Sequence, residues 1–443
     1  MRNNIVHAGS SELTYEIRGI VALARQVEAH GVPIVWENIG DPVAKGEPIP
    51  AWMKEIVRDL ALQDAAYGYC PTEGVLTTRQ FLAELRNGRG GAQITPNDIL
   101  FFNGLGDAIS RVYTLLRRET RVIGPSPAYP THSSAEGAHA GTRPITYHCD
   151  PARNWEPDLA DLENHVKFNS AISGILLINP GNPTGAVYSR EILEGIVDIA
   201  RRYDLFIISD EIYINLSFAG DAVPLADVIG DVPALCMAGI SKELPWPGAR
   251  CGWIEVYNRH VDPNFEVFVK SLFQAKMLEV CATTMPQMSI PTIMTHPEYL
   301  KHVEDRRRRY ERAAEIAYDR FSQLEAVTLG KPQGAFYLSI VFRDGYLPHD
   351  GVMPIANTAL REFIESKVIG ATPESRFVYY LLAATGICVV PLSSFETPYQ
   401  GFRMTLLERD LDRYTLTVDT IAAAIEQYCG AQAAAKTLAT VTP

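Results

Sequence analysis

Short apolar runs rich in β-branched residues alternate with helix-like stretches through the middle of the chain. Six of these runs are predicted strands: residues 99–102, 121–123, 174–178, 205–209, 234–238 and 252–256. Such alternation predicts parallel strands joined by crossover helices, and continuous apolar runs are typical of strands that are buried on both faces. The middle of the chain is therefore predicted to be one α/β domain.

Helical spacing also extends over residues 297–324, where most positions are charged. Acidic residues flank the arginine run at 306–309, so we interpret this segment as a solvated helix between two domains rather than as an anion site. Beyond it, a smaller α+β unit is predicted from strands at 334–342 and 386–391 and helices at 356–366 and 411–429. The predicted division is an N-terminal arm with part of the small domain at 1–48, a large domain at 49–300, a small domain at 301–430 and a flexible tail at 431–443.

Composition and charge narrow the class of protein. The 443 residues are 47% hydrophobic and carry a formal net charge of -12. This acidic balance argues against binding to nucleic acid, whose protein partners concentrate lysine and arginine. Residues 1–13 lack the apolar core of a signal peptide, and no apolar run has the ~20 residues that cross a bilayer, so we expect a cytoplasmic protein without a membrane partner. The seven cysteines are scattered without zinc-site spacing, so we predict no metal.

The first segment with candidate chemistry centres on Lys242. A lysine that lies beside other cations, or is shielded from water, loses its proton readily and can form a Schiff base with a carbonyl cofactor. Arg250, a few residues later, can direct two hydrogen bonds at a phosphate. The alternative is a surface lysine followed by an arginine on a loop, because both residue types are mostly exposed in proteins.

The second segment, residues 207–213, places Asp210 at the end of an apolar strand, where ligands of open α/β sheets bind. A carboxylate at this place can keep a pyridine nitrogen protonated, which turns the ring into an electron sink. Tyr213 can donate a hydrogen bond to a phenolic oxygen of the same ring. The alternative for Asp210 is that it caps the helix that follows.

The third and fourth segments also follow predicted strands. Residues 179–185 contain two Asn-Pro dipeptides, and the Asn182 amide can donate to the same phenolic oxygen; an ordinary turn is the alternative. Residues 102–108 combine a strand end, a glycine-rich turn and a helix start, which offers backbone N–H groups to a phosphate. This pattern alone does not define a phosphate site. Tyr129 can stack on the ring, or it can pack as an ordinary core tyrosine.

Taken in order along nearly the whole chain, these segments resemble the class I/II aminotransferases of the aspartate aminotransferase fold, which are fold type I enzymes dependent on pyridoxal 5'-phosphate (PLP). The family's lysine motif, Ser-x-Ser-Lys followed by Gly-x-Arg-x-Gly, matches residues 239–242 and 248–252. Gly239 replaces the usual first serine, so that serine's hydrogen bond to the phosphate is not expected. The resemblance implies an α/β fold with a mostly parallel seven-stranded sheet flanked by helices in the large, PLP-binding domain, and a smaller α+β domain.

The resemblance also implies where PLP binds. Lys242 would hold it through a Schiff base, Asp210 would pair with the pyridinium nitrogen and Tyr213 would hold the phenolic oxygen, which makes these three the expected catalytic residues. The expected cofactor-binding set consists of Gly104, Leu105, Gly106, Tyr129, Asn182, Asp210, Tyr213, Ser241, Lys242, Arg250 and Tyr69. Tyr69 matches a tyrosine that reaches the phosphate of a neighbouring subunit, which implies a homodimer with shared active sites.

For the substrates, an L-amino acid and a 2-oxo acid, the resemblance implies a second set of residues. Arg403 matches the arginine that holds the α-carboxylate, and Gly40 matches a backbone contact to the same group. Asn182 belongs to the expected substrate-binding set as well as to the cofactor-binding set. The start of the chain looks most like alanine (glutamate–pyruvate) aminotransferases, in which it folds over the active site. Tyr15 and Arg18 are therefore candidates for gating or for reading the substrate side chain; the alternative is an arm that packs on the large domain.

The implied function is a PLP-dependent aminotransferase with ping-pong kinetics, in which replacement of Lys242 by alanine should abolish turnover. Two alternatives stay open. The same scaffold and cofactor support β-lyase, decarboxylase and synthase reactions, because pocket groups only choose which bond breaks. A non-catalytic PLP-binding regulator is the other alternative, although the acidic charge argues against a DNA-binding protein.

Overall fold

The structure is a computed structural model that describes the backbone of residues 5–13 and 17–441 and the side chains of residues 5–13 and 19–430. Its α-helices are α1 (Ile17–Ala29), α2 (Ala51–Ala61), α3 (Leu76–Asn87), α4 (Leu105–Thr114), α5 (Pro130–Ala140), α6 (Leu159–Phe168), α7 (Arg190–Arg202), α8 (Ile240–Glu243), α9 (Pro263–Glu279), α10 (Thr284–Met294), α11 (Tyr299–Phe321), α12 (Thr358–Lys367), α13 (Pro373–Thr385) and α14 (Leu411–Val441). Its strands are β1 (Val35–Trp36), β2 (Ile99–Phe102), β3 (Arg121–Ser126), β4 (Thr146–Asp150), β5 (Glu156–Pro157), β6 (Ile172–Ile178), β7 (Phe206–Asp210), β8 (Ala234–Gly239), β9 (Gly252–Tyr257), β10 (Val327–Thr328), β11 (Tyr337–Phe342), β12 (Ile387–Cys388), β13 (Val390–Pro391) and β14 (Gly401–Thr405).

Eight strands of the described chain form one large sheet in the order β2-β9-β8-β7-β6-β3-β4-β5. Strands β8, β7, β6, β3 and β4 run parallel to one another, while β9 lies antiparallel between β8 and β2. The eighth strand, beyond the seven expected from the sequence, is the two-residue β5, antiparallel to β4. Strand β4 is not an apolar run, because its residues alternate between buried and partly buried positions; this alternation hides it from a search for continuous apolar segments.

Consecutive residues of the central strands face two apolar layers. On β7, for example, Ile207 lies in one layer and Ile208 in the other. Both faces of a parallel sheet are buried by its crossover helices, and burial of each such side chain stabilises the fold by about 1.5–3 kcal/mol. The register places Asp210 between Ile178 and Met237, so the carboxyl ends of β6, β7 and β8 meet at one edge of the sheet.

Two smaller sheets lie in the C-terminal part of the fold. Strands β10, β11, β14 and β13 form an antiparallel sheet, and β1 pairs with β12 in parallel. The segment 386–391, predicted to be one strand, forms two, because β12 pairs with β1 whereas β13 pairs with β14. These pairings bring the residues that follow β1 next to β14, where the Thr405 amide donates to the Glu37 carbonyl at 2.9 Å.

Helix α11 corrects the interpretation of the arginine run at 306–309. Arg308 is exposed, as expected for a solvated helix, but Arg306 is only 2% exposed. Arg306 lies on the same face as the buried residues Tyr310 and Ala313, because positions four and seven apart share a helix face. The prediction of a solvated helix is therefore wrong for Arg306. The available signal was the helical spacing of Arg306 with the core residues Tyr310 and Ala313.

Helix α14 is longer than predicted. The sequence pattern ends this helix at residue 429 and predicts a flexible tail at 431–443, whereas the described backbone is helical to Val441. The alanine-rich composition of residues 431–435 explains the difference, since alanine has the highest helix propensity. The domain boundaries stay a prediction. No described helix combines the length and the apolar character needed to cross a membrane.

Candidate active site

A cavity of about 340 Å³ opens at the edge of the large sheet where β6, β7 and β8 end. Eleven residues selected from the sequence line it: Gly40, Leu105, Gly106, Tyr129, Asn182, Asp210, Tyr213, Ser241, Lys242, Arg250 and Arg403. They come from seven separate segments of the chain, and the carboxyl ends of parallel strands are where such folds bind ligands. The structure therefore brings the four candidate segments together at one place.

Lys242 lies on the short helix α8, and its Nζ donates a 2.8 Å hydrogen bond to the Gly40 carbonyl. Burial lowers the pKa of Lys242 to about 8. The cations of Arg403 and Arg250 act in the same direction, and the carboxylate of Asp210 opposes them. A lysine in this environment has an appreciable fraction of free amine near neutral pH, which is the form that reacts with a carbonyl.

Asp210 is buried at the end of β7, with its two oxygens already engaged. Its Oδ1 accepts a 3.1 Å bond from the Ile212 backbone, and its Oδ2 lies 3.2 Å from Nε2 of His132, which is fully buried on α5. Sequence reasoning missed His132; its position three residues after Tyr129, at the start of a helix facing the sheet, was the available signal. The Nδ1 of His132 has no hydrogen-bond partner among the described residues.

A cradle for an anion forms between the start of α4 and Arg250. Gly104, the residue before α4, has φ +85°, and a Cβ there would lie 2.4 Å from Nη2 of Arg250. Only glycine allows this approach of the guanidinium to the helix N-terminus, whose backbone N–H groups favour an anion. Gly239 has little room as well: an added Cβ would lie 3.0 Å from the Cys251 carbonyl oxygen. This crowding accounts for the glycine where the family motif has serine.

Tyr213 and Tyr337 face each other across the cavity, with their hydroxyl oxygens 3.2 Å apart. Burial raises the pKa of Tyr213 well above its ordinary value, so the hydroxyl keeps its proton and can donate it in a hydrogen bond. Tyr337, on β11, was not selected from the sequence. Its hydroxyl packs so closely on Gly40 that a Cβ at Gly40 would lie 2.0 Å away, which explains a glycine at that position.

Arg403, on β14, is 2% exposed and is held by hydrogen bonds on both sides. Its Nη1 donates to Oδ1 of Asn182 at 3.0 Å, and its Nη2 donates to the backbone carbonyl of Asn38 at 2.7 Å. The guanidinium also lies 4.5 Å from the ring centre of Tyr337 and 5.0 Å from that of Phe395. These contacts fix a planar donor group in one orientation, as recognition of a carboxylate requires.

Arg306 supports the lysine-bearing helix from behind. Its Nη1 donates to the backbone carbonyls of Lys242 and Glu243 at 2.7 and 2.6 Å, which are the last carbonyls of α8. Its Nε donates to Oε1 of Glu47 at 2.6 Å and its Nη2 to the Tyr310 hydroxyl at 2.7 Å. The helix α8 has only four residues, so these bonds replace the intrahelical partners that its carbonyls lack.

Four of the residues selected from the sequence are not among those lining the cavity. One of them, Gly104, lies directly before Leu105, which does line it. Tyr69 is 86% exposed on the surface of this chain. Tyr15 lies outside the described residues, and Arg18 lies in α1 but its side chain is not described. Helix α1 does reach the site, because Val21 lines the cavity.

The arrangement fits PLP part by part. Gly104, Arg250 and Ser241 with the start of α4 would hold the phosphate, and buried Asp210 would face a ring nitrogen. Lys242, with its lowered pKa, would hold the carbonyl carbon between them. Fold and cavity together define a fold type I PLP-dependent enzyme.

The chain belongs to the aminotransferase class I and II family, whose model matches residues 37–418. It is 55% identical over 429 residues to an uncharacterized aminotransferase of Methanocaldococcus jannaschii, a match that covers 97% of this chain and 99% of that protein. It is 31% identical over 329 residues to glutamate-pyruvate aminotransferase AlaA of Haemophilus influenzae, covering 73% and 79% of the two chains. The crystal structure of alanine aminotransferase from Pyrococcus furiosus gives a TM-score of 0.81 at 25% identity, over 96% of this chain and 100% of that one.

The protein is therefore a PLP-dependent transaminase, acting on amino acids and 2-oxo acids. The family, the fold class and the cofactor predicted from the sequence are confirmed. Transamination is the reaction that the relatives carry in their names, and it is favoured over the other PLP reactions and over the regulator considered as alternatives.

Proposed function

We propose that this transaminase is of the alanine/glutamate type and exchanges an amino group between L-alanine and 2-oxoglutarate. The observation that carries the proposal is the composition of the cavity wall around Lys242 and Arg403, where Val21, Ile39 and Ile109 present apolar surface. Apolar surface of this kind suits a short, uncharged substrate side chain. The similarity to proteins named alanine and glutamate-pyruvate aminotransferase supports the same substrates.

PLP and the residues around it would have different roles in the reaction. PLP supplies the carbonyl group that takes up the amino group and a ring that stores the electron pair released at the substrate carbon. Asp210, supported by His132, would keep the ring nitrogen protonated, and Tyr213 with Asn182 would donate to the phenolic oxygen. Tyr129 would stack on the ring. Lys242 would remove the proton from Cα of the substrate, an acid–base contribution of about 10²–10⁴-fold.

Arg403 would hold the α-carboxylate of the substrate, with Gly40 contributing a backbone contact. The bonds to Asn182 and Asn38 fix the orientation of the Arg403 guanidinium before the substrate arrives. An arginine fork of this kind matches the two oxygens of a carboxylate. Binding the carboxylate there would place Cα within the same cavity as the Lys242 amine.

A substrate with a second carboxylate, such as glutamate, needs a further cation, and we assign that function to Arg18. It lies in α1 three residues before Val21, which lines the cavity. Tyr15, in the segment before α1, would close over the substrate side chain. Loss of activity with glutamate but not with alanine in Arg18→Ala would support this assignment, and an equal loss with both would contradict it.

The active unit would be a homodimer with shared active sites. Two neighbouring segments, joined by a 2.8 Å bond from Thr284 Oγ1 to the Gly68 carbonyl, expose large apolar side chains. These side chains are Leu62, Tyr67, Tyr69, Met277, Leu278 and Val280. Apolar patches of this kind mark protein–protein contacts. Tyr69 lies among them, where it would reach the phosphate site of a second copy.

A half-reaction tests the proposed function. The purified protein is saturated with PLP, and its near-ultraviolet and visible absorbance is recorded before and after separate addition of L-alanine, L-glutamate and L-aspartate. We expect alanine and glutamate to convert the absorbance of lysine-bound PLP to that of pyridoxamine phosphate, and aspartate to do so more slowly. Retention of the PLP absorbance with all three donors would contradict the proposal, and conversion by aspartate alone would contradict the substrate assignment.

A further inference from the structure

Asn38 is a buried polar residue whose side chain makes no hydrogen bond within the described protein. It is 1% exposed, and neither Nδ2 nor Oδ1 has a hydrogen-bond partner among the described residues. A buried amide without partners is destabilising, and such groups are rare in folded proteins. A ligand that enters the cavity and supplies the missing partner would remove this cost.

The position of Asn38 shows where that ligand lies. Asn38 lines the cavity, and its own backbone carbonyl accepts the 2.7 Å bond from Nη2 of Arg403. The residue that carries the unpaired amide therefore also contacts the guanidinium that is proposed to bind the substrate. Asn182 bonds the same guanidinium from the other side, but there the amide oxygen is used as the acceptor.

The backbone around Asn38 is fixed independently of any ligand. The preceding residue, Glu37, is fully buried and accepts bonds from Lys45 Nζ at 2.8 Å and from Thr405 Oγ1 at 2.7 Å. The Thr405 amide also donates to the Glu37 carbonyl. The backbone of Asn38 is thus tied to β14, the strand that carries Arg403, on both sides of its Cα.

We propose that the Asn38 amide is a substrate-binding group, which donates from Nδ2 to the α-carboxylate that Arg403 holds. A carboxylate offers only acceptors, with about four lone-pair sites on its two oxygens, so it can accept from a second donor beside an arginine. This inference rests on the proposed function, because it requires amino acids as ligands. The inference adds to the proposed function a residue that discriminates substrates with a carboxylate from amines without one.

A matched ligand pair tests the proposal on the PLP-loaded protein. 2-Methylalanine carries the amino group and the carboxylate but has no hydrogen on Cα, so it binds without reacting further. Isopropylamine carries a hydrogen in place of the carboxylate. Because this hydrogen on Cα can be removed, binding of isopropylamine is read from the initial absorbance change, before any proton transfer. The dissociation constant of each is measured from the change in cofactor absorbance, in wild type, Asn38→Ala and Asn38→Asp.

In Asn38→Ala, 2-methylalanine should bind roughly 10- to 100-fold more weakly, the range expected for one hydrogen bond to a charged group, while isopropylamine binds as in wild type. Asn38→Asp should be weaker still with 2-methylalanine, because it places a negative charge beside the carboxylate. Equal binding of 2-methylalanine to wild type and Asn38→Asp would overturn the proposal, and so would an equal loss for both ligands.

Asn87→Ala is the control for a structural amide. Asn87, at the end of α3, has both amide groups paired with the backbone of Ile94, at 2.8 and 3.0 Å. Its removal should lower the melting temperature and leave the affinity for 2-methylalanine unchanged. Asn38→Ala should do the reverse: the ligand-free, PLP-loaded protein keeps or gains thermal stability because no protein hydrogen bond is lost.

The same data separate this inference from the proposed function. Wild type that holds PLP but shows no absorbance change with any amino acid overturns the proposed function, and the inference with it. Wild type that binds 2-methylalanine while Asn38→Ala binds it equally well overturns the inference alone. A fall in the melting temperature of Asn38→Ala without a loss of affinity would assign Asn38 a structural role and also overturn it.

Discussion

The cavity has two walls whose polar groups are satisfied to different degrees. The large-sheet wall consists of Asp210, Lys242 and Arg250, at the edge of the eight-stranded sheet; the small-sheet wall consists of Asn38 and Arg403, beside the two smaller sheets. On the first wall, Asp210 pairs with a buried histidine and with the backbone, and Lys242 donates to a backbone carbonyl. On the second wall, Arg403 is held by oxygens on both sides, yet the amide of Asn38 has no described partner.

This difference between the walls corresponds to two functions of the cavity, which are binding of the cofactor and binding of the substrate. A cofactor that stays bound needs a site whose charges are oriented beforehand, since preorganised groups cost no rearrangement during the reaction. A substrate that enters and leaves in each cycle gains affinity from polar groups that only it can satisfy. The large-sheet wall suits the first task, and the small-sheet wall suits the second.

The largest effect is expected from removing the lysine of the large-sheet wall. Lys242→Ala should lower turnover by at least about 10²–10⁴-fold, because both the attachment of PLP and the proton transfer at Cα depend on this amine. PLP should still bind, slowly and without a covalent bond, since Asp210 and Arg250 remain. Turnover with alanine and 2-oxoglutarate measures the effect, with exposed Lys301→Ala as the control. Undiminished turnover in Lys242→Ala would end the assignment.

Replacing Arg306 tests the support of the large-sheet wall, since Arg306 links the backbone carbonyl of Lys242 to Glu47. Arg306→Met should lower the free energy of unfolding by about 3–5 kcal/mol, because it breaks a buried ion pair. Arg306→Lys keeps the charge without the fork and should fall between that variant and wild type. Denaturant unfolding of the PLP-loaded protein measures both, and equal stability of Arg306→Met and wild type would exclude a structural function for this link.

The ion pair between Arg306 and Glu47 also makes the stability of the fold depend on pH. Although burial opposes it, the cations of Arg306 and Arg309 lower the pKa of Glu47 below its ordinary value of 4.5. A carboxyl group with a lowered folded-state pKa contributes stability that is present above the unfolded-state pKa and is lost as pH falls through the folded-state value. Wild type should therefore lose stability below about pH 4.5 more steeply than Arg306→Met. Parallel pH profiles of the two proteins would contradict this expectation.

On the small-sheet wall, Arg403→Gln should raise the KM for alanine by roughly 10- to 100-fold, because a charge-assisted contact to the carboxylate is lost. The absorbance of bound PLP should stay as in wild type, since this arginine is not assigned to the cofactor. Arg308→Gln, an exposed arginine on α11, is the control. A loss of PLP binding in Arg403→Gln with an unchanged KM would contradict this assignment, because it would make Arg403 a cofactor-binding residue rather than a substrate-binding one.

The smallest expected effect is a pH dependence that couples the walls. With a pKa of about 8 for Lys242, uptake of PLP by the cofactor-free protein should accelerate about tenfold per pH unit up to pH 8 and then level off. Because this folded-state pKa lies below the ordinary 10.5, the stability of that protein should rise between pH 8 and 10.5. Arg403→Gln removes a cation that lowers this pKa, so its uptake should level off at higher pH. An identical profile in that variant would exclude the coupling.

The large-sheet wall could be predicted from the sequence because each of its groups lies in a contiguous motif. Lys242 and Arg250 share one segment, and Asp210 follows an apolar strand. The small-sheet wall could be predicted only in part, through the resemblance that identified Arg403. Asn38 lies in no local motif: the two-residue strand before it gives a weak signal, and its meaning depends on a pairing with distant β14.

The supporting residues escaped prediction for a related reason. Arg306 was hidden among charged neighbours, and its burial depends on which face of α11 packs on the chain. His132 and Tyr337 are ordinary core residues by sequence, and their positions opposite Asp210 and Tyr213 depend on how α5 and β11 pack against the end of β7. Sequence patterns give the strands and their ends, whereas contacts between segments far apart in the chain decide which side chains meet.

The hydrogen bond between the Asn38 carbonyl and Arg403 joins positions 365 residues apart. At the usual rates of protein synthesis, Arg403 leaves the ribosome roughly 20 to 70 seconds after Asn38. During that interval the growing chain already contains Asp210, Lys242 and Arg250, but no partner for the segment that follows β1. Under the proposed function, a nascent chain can therefore carry Asp210, Lys242 and Arg250, which are assigned to the cofactor, while it still lacks the arginine assigned to the amino acid. It would become selective for its substrate only near the end of its own translation.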